Sequence, residues 1–133
     1  MIRKFLNLGN QPLANSYLNK KELNKKEKKF KLELVFNDKN FLVSINNKIA
    51  TKEMFNDSYP YRSSMSKTML KSFKNISNII KQRFNPKFII EIGSNDGAFL
   101  FNFNKKNIIG IEPCKNIASI TKRKKYKTID KYW

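Results

Sequence analysis

A strand, a glycine turn, a second strand and an acid follow one another between Lys87 and Pro113. That order constrains the fold more than any other stretch of the chain. Lys87–Ile92 (KFIIEI) is an apolar run of the kind a buried parallel strand shows. It breaks at Gly93–Gly97 (GSNDG), and a second short run ends at Glu112, 21 residues beyond Glu91. A βαβ unit that takes a dinucleotide or nucleoside needs this order. Glycine lets the backbone pass close to a ligand, and an acid after the second strand accepts from ribose hydroxyls. The form acid-x-Gly-x-Asn-x-Gly suits S-adenosylmethionine better than a dinucleotide. A pyrophosphate wants a third glycine and an open helix N-terminus, and Asp96 would repel it. The glycine turn alone is a weak signal, because any strand-to-helix turn can use glycine; the order of the elements carries the specificity.

Around this unit the chain alternates. The spacing predicts a strand over 87–92, a helix over 97–104, a strand over 108–112, a helix over 115–122 and a strand over 126–129. These elements form the first half of a doubly wound parallel sheet. Upstream, Met65, Met69, Phe73, Ile76 and Ile80 recur every three or four residues, which is the apolar stripe of a helix. Ser63 or Ser64 can cap it, and Asn85-Pro86 ends it. Further upstream, Phe30–Phe36 alternates like a half-buried strand and Phe41–Ile45 returns as its hairpin partner across a turn at Asn37–Asn40. Thr51–Phe55 reads as a helical turn and Asn56–Pro60 as loop. Gly9–Pro12 reads as a turn, and the lysine-rich Asn19–Lys29 as a solvated connector or exposed helix. The expected class is α/β: a small N-terminal α+β domain over 1–62, a linking helix over 63–85, and the incomplete parallel sheet over 86–133.

Charge narrows the function less than its size suggests. Lys and Arg number 28 against 10 Asp and Glu, a net +18. Such an excess would suit nucleic acid or an anionic surface. Only Arg3, Arg62, Arg83 and Arg123 supply the forked guanidinium that phosphate-reading surfaces favour; the rest is Lys, abundant alongside Asn, Ile and Phe as a biased base composition produces. Nucleic acid is therefore not the expected partner, and Phe99, Phe101 and Phe103 read as packing before base-stacking. The absence of His removes the commonest general base, and Cys114, the one cysteine, excludes a disulfide framework or a cysteine metal cluster. No apolar run approaches the roughly 20 residues of a membrane span. The N-terminus lacks a signal peptide's features, so the expected location is cytoplasmic.

Four segments together resemble one family. LGNQPLANSYL (8–18) is similar to the LGxxPLANxxL opening of sugar C-methyltransferases, which carry an N-terminal zinc-binding-type domain. YPYRSSMS (59–66) is similar to their YxYxSSxS segment, EIGSNDG (91–97) to their EIGSNDG, and GIEP (110–113) to their GIEP. The motifs keep the family's order and span most of the chain. The resemblance implies methyl transfer from S-adenosylmethionine to a carbon of a nucleotide-linked keto-deoxysugar, through an enolate formed beside the ketone. It implies that Glu91, Gly93, Asn95 and Gly97 line the cofactor, that Glu112 takes the ribose hydroxyls, and that Tyr59, Tyr61 and Ser63 face the sugar. Loop packing is the competing account of the tyrosines. No catalytic base is assigned.

The chain also departs from that family. Its zinc site uses two Cys-x-x-Cys pairs; the first would lie upstream of Gly9, where no Cys stands, and the second aligns with Asn37 and Asn40. Neutral amides cannot replace thiolates, so no zinc is expected. The family's chains are longer, so the expectation is an N-terminal part that is inactive alone, with a second chain completing the sheet. The alternatives are a non-catalytic ligand- or partner-binding module and, behind it, a basic nucleic-acid-binding protein.

Overall fold

The computed structural model describes residues 1–133, and the chain divides into two compact units, Met1–Met54 and Phe55–Trp133. Together they are a mixed α/β protein with one antiparallel and one parallel sheet. Residues 55–62, expected with the N-terminal domain, fall with the linking helix in the second unit.

The first unit is a three-stranded antiparallel sheet in the order β1 (Ile2–Pro12), β2 (Lys29–Asn37), β3 (Leu42–Ile45), followed by the short helix α1 (Thr51–Met54). The alternation in β2 sets its register: Val35 lies opposite Lys4 on one side and Ser44 on the other. The expected turn at Gly9–Pro12 is instead the end of β1. Bulges at Lys4/Leu6 and Asn7/Asn10 absorb the irregularity, with Gly9 at φ 72°. Asn19–Lys29 forms turns and no helix, since it has no apolar face to bury. The β2–β3 hairpin is as expected. Its turn is tied by Phe41 N–H donating to Asn37 O, with Phe41 at φ 58°.

The second unit opens with an 18-residue helix, α2 (Lys67–Phe84). Ser66 caps it by accepting from Met69 N–H, displacing Ser63 and Ser64, which sit in a 3-10 turn ahead of it. Asn85 closes it in the left-handed region. The buried side runs through Met69, Phe73, Ser77 and Ile80; Met65, in that 3-10 turn, and Ile76 are exposed, so the expected stripe is shifted. The parallel sheet has the order β4 (Ile89–Ile92), β5 (Ile108–Ile111), β6 (Thr128–Ile129), with α3 (Lys115–Arg123) between the last two.

The crossover from β4 to β5 is not the expected helix over 97–104. It is two 3-10 turns, Leu100–Asn102 and Lys105–Asn107. Asn102 and Asn104 explain part of this. Asn102 folds its side chain onto the Ala98 and Phe99 carbonyls, and Asn104 caps Lys106 N–H, each offering the backbone an alternative to an α-helix. Leu100, Phe103 and Ile108 form the buried centre, flanked by Ile80, Ile89, Phe99, Phe101 and Tyr126. Phe73, Phe99 and Phe103 stack edge to face at 5.7 and 5.1 Å, so these phenylalanines pack the core. The opposite face of β4 stays open, with Ile90 and Ile92 exposed.

Candidate functional site

Three segments distant in sequence meet at the carboxyl ends of β4 and β5. The first is the glycine turn. Gly93 and Gly97 take φ of 70° and 87°, values glycine adopts without a Cβ clash, and Asn95 takes 47°. Gly93 and Ser94 N–H both donate to Ile111 O, at 2.8 and 3.0 Å, which folds the turn over the end of β5. A side chain at Gly97 would meet the Phe101 ring at 2.6 Å and Thr121 Cγ2 at 2.8 Å, so the turn is pressed against the crossover and α3.

The second segment follows β5. Glu112 is only 5% exposed, and each carboxylate oxygen accepts one backbone N–H: Oε2 from Asn95 at 2.9 Å and Oε1 from Cys114 at 2.9 Å. The Cys114 thiol is a further donor to this carboxylate. Beside it Cys114 is fully buried; burial pushes its thiol up to about 12, helped by the Glu112 carboxylate, so it is inert as a nucleophile.

The third segment is Tyr59–Ser64. Asn95 holds it from both ends of its amide: Oδ1 accepts from Ser63 N–H at 2.8 Å and Nδ2 donates to Tyr61 O at 3.2 Å. Asp96, almost wholly buried, accepts from Ser64 N–H and from the Ser64 hydroxyl. Asn116, from α3, donates to Tyr59 O at 2.8 Å. The rings of Phe55, Tyr59 and Tyr61 form an edge-to-face chain with centroids 5.4 and 6.5 Å apart.

Beneath the turn lies Glu91. It stands opposite Gly110 in the ladder, and a side chain on Gly110 would lie 2.6 Å from Ser94 Oγ. Glu91 Oε2 and Ser94 Oγ are both buried with no hydrogen-bond partner. Burial raises the Glu91 carboxyl to about 8 and the Glu112 charge adds to it, against a bond from Leu100 N–H. Buried acceptors without a donor are uncommon and mark a place for one.

The structure therefore brings Glu91, Gly93, Asn95, Gly97 and Glu112 into one cluster with Tyr59, Tyr61 and Ser63. Its detail differs from what the motifs suggest: the Asn95 amide is occupied by the tyrosine segment. Asp96 and Asn116 complete the clamp, through contacts that no sequence pattern signals because each joins groups some 30 to 60 positions apart. Asn37 and Asn40 lie in the first unit, where their side-chain oxygens accept from Lys39 and Leu42 N–H at 2.9 and 3.2 Å. No group of three His, Cys, Asp or Glu side chains converges anywhere in the chain. No helix is long and apolar enough to cross a membrane.

Residues 1–55 match the family model of a methyltransferase-associated domain described as "Putative zinc binding domain". No curated protein matches the chain.

Proposed function

We propose that the second unit binds S-adenosylmethionine at the carboxyl ends of β4 and β5. On this reading the chain is the cofactor-side part of a C-methyltransferase acting on a nucleotide-linked keto-deoxysugar. The observation that carries it is a set of buried, unpartnered polar atoms, Glu91 Oε2, Ser94 Oγ and Asn116 Oδ1, in the residues around a glycine turn that Glu112 ties down. The methyltransferase-associated match over residues 1–55 supports the same assignment.

The residues fit the cofactor's chemistry. A carboxyl and a hydroxyl that lack a donor suit an ammonium group, and Glu91 would ionise on meeting one. Glu112 stands just after β5, where an acid accepts from ribose hydroxyls. When bound, the cofactor supplies an electrophilic methyl group. The chain's own part is to hold and orient: Asn95, Asp96 and Asn116 clamp the Tyr59–Ser64 backbone beside the turn, where a phenol can donate to an oxyanion formed on the sugar. The exposed Ile90 and Ile92 leave one face of β4 uncovered, which supports a place for further structure against this sheet.

Calorimetric titration with S-adenosylmethionine, beside NAD as a dinucleotide control, tests the assignment. Saturable binding of the first, weakened by Glu91→Gln, is expected. Equal binding of NAD, or indifference to Glu91→Gln, would overturn it.

A further inference from the structure

The match over residues 1–55 implies zinc, and the first unit does not fit that metal. A structural zinc takes four ligands drawn from thiolates, imidazoles and carboxylates. The unit has neither Cys nor His, no three acids converge in it, and the Asn37 and Asn40 amides are committed to turn N–H groups. Yet it needs reinforcement of some kind. Of its side chains only Val35 and Glu33 are buried, and a unit of this size without a core usually depends on a disulfide, a metal or a partner.

Charge joins its strands instead. Glu33 on β2 is 2% exposed, and its carboxylate accepts from Lys4 Nζ on β1 at 2.7 Å, from Lys31 Nζ at 3.0 Å and from Asn46 Nδ2, beyond β3, at 3.2 Å. Asn46 N–H donates to the Glu33 carbonyl at 2.9 Å, so one residue gathers all three strands. Arg3, next to Lys4 and so on the other face of β1, donates twice to Asp38 Oδ1, at 2.6 and 3.1 Å. Asp38 lies in the hairpin turn between Asn37 and Asn40, where the resemblance places the missing ligand pair. Arg3 also lies over the Phe36 ring at 5.8 Å. The neighbouring cations hold the Glu33 carboxyl down to about 2, so the cluster stays charged across the neutral range.

We infer that the first unit folds without metal, with β1 clasped from both faces by the Lys4–Glu33 and Arg3–Asp38 pairs in place of zinc. Amide hydrogen exchange on the full chain tests this, with the β4–β5 amides of the second unit as internal reference. Protection of the β1–β2 amides should survive excess chelator and be unchanged by added zinc. Glu33→Gln, which leaves two ammonium groups without their counter-charge, should raise their exchange at least about tenfold while β4–β5 is unaffected. Lys4→Met should do the same to a lesser degree. Protection lost to chelator or gained with zinc would overturn the inference, and so would β1–β2 exchange that neither variant changes.

Discussion

Gly97 is where the candidate site is most tightly built, and replacing it with alanine separates two costs. The first is backbone strain: at φ 87° an L-residue gives up about 1–2 kcal/mol. The second is steric. The new methyl would sit 2.6 Å from the Phe101 ring and 2.8 Å from Thr121 Cγ2. Neither neighbour yields easily. Thr121 is buried on α3 and hydrogen-bonded to Thr128, and the Phe101 ring contacts both the Tyr126 ring and the Lys124 ammonium. Overpacking of that kind costs about 1–3 kcal/mol, for a total of about 2–5. The second unit, Phe55–Trp133, has a stability of roughly 4–12 kcal/mol on a per-residue scale. Gly97→Ala thus removes a large share of it. Gly93→Ala is the matched control: its φ of 70° carries the same strain, but no atom lies within 4 Å of the added carbon. Urea unfolding followed at the helix signal of α2 and α3 should place Gly93→Ala about 1–2 kcal/mol below the parent and Gly97→Ala clearly lower. Equal losses in the two variants would refute the close approach of turn, crossover and α3.

Glu91 gives a pH signature. Its carboxyl titrates near 4.5 when unfolded and about 8 when folded. Between those values the folded chain keeps a proton that the unfolded chain releases. Stability should therefore fall as pH rises through the window, by up to about 1.4 kcal/mol per pH step, and level off above it; Glu91→Gln should flatten the slope in urea titrations across that range. Asn95→Ala should free the Tyr61–Ser63 segment, seen as faster amide exchange over 61–66 with the β4–β5 ladder unchanged. Ser66→Ala removes the α2 cap and should cost about 1 kcal/mol in thermal unfolding.

Much of this was legible in the residues because it rests on local chemistry. Alternation over Phe30–Phe36 gave the β2–β3 hairpin, and Asn85-Pro86 marked the end of α2. The glycine turn between two apolar runs marked β4 and β5. What escaped depends on competition or distance. Residues 97–104 have helical spacing, but Asn102 and Asn104 divert the backbone into 3-10 turns. The α2 stripe shifted because Ser77 returns its hydroxyl to the Lys74 carbonyl and so can be buried without water. The clamp on the tyrosine segment joins residues 32 apart, a pairing that periodicity does not encode.

Amide chemical-shift mapping with saturating S-adenosylmethionine tests the central claim most directly. Perturbations confined to 91–97, 112–116 and 59–64 are the expected result. A folded chain whose spectrum does not change, or changes only in the first unit, would contradict the account.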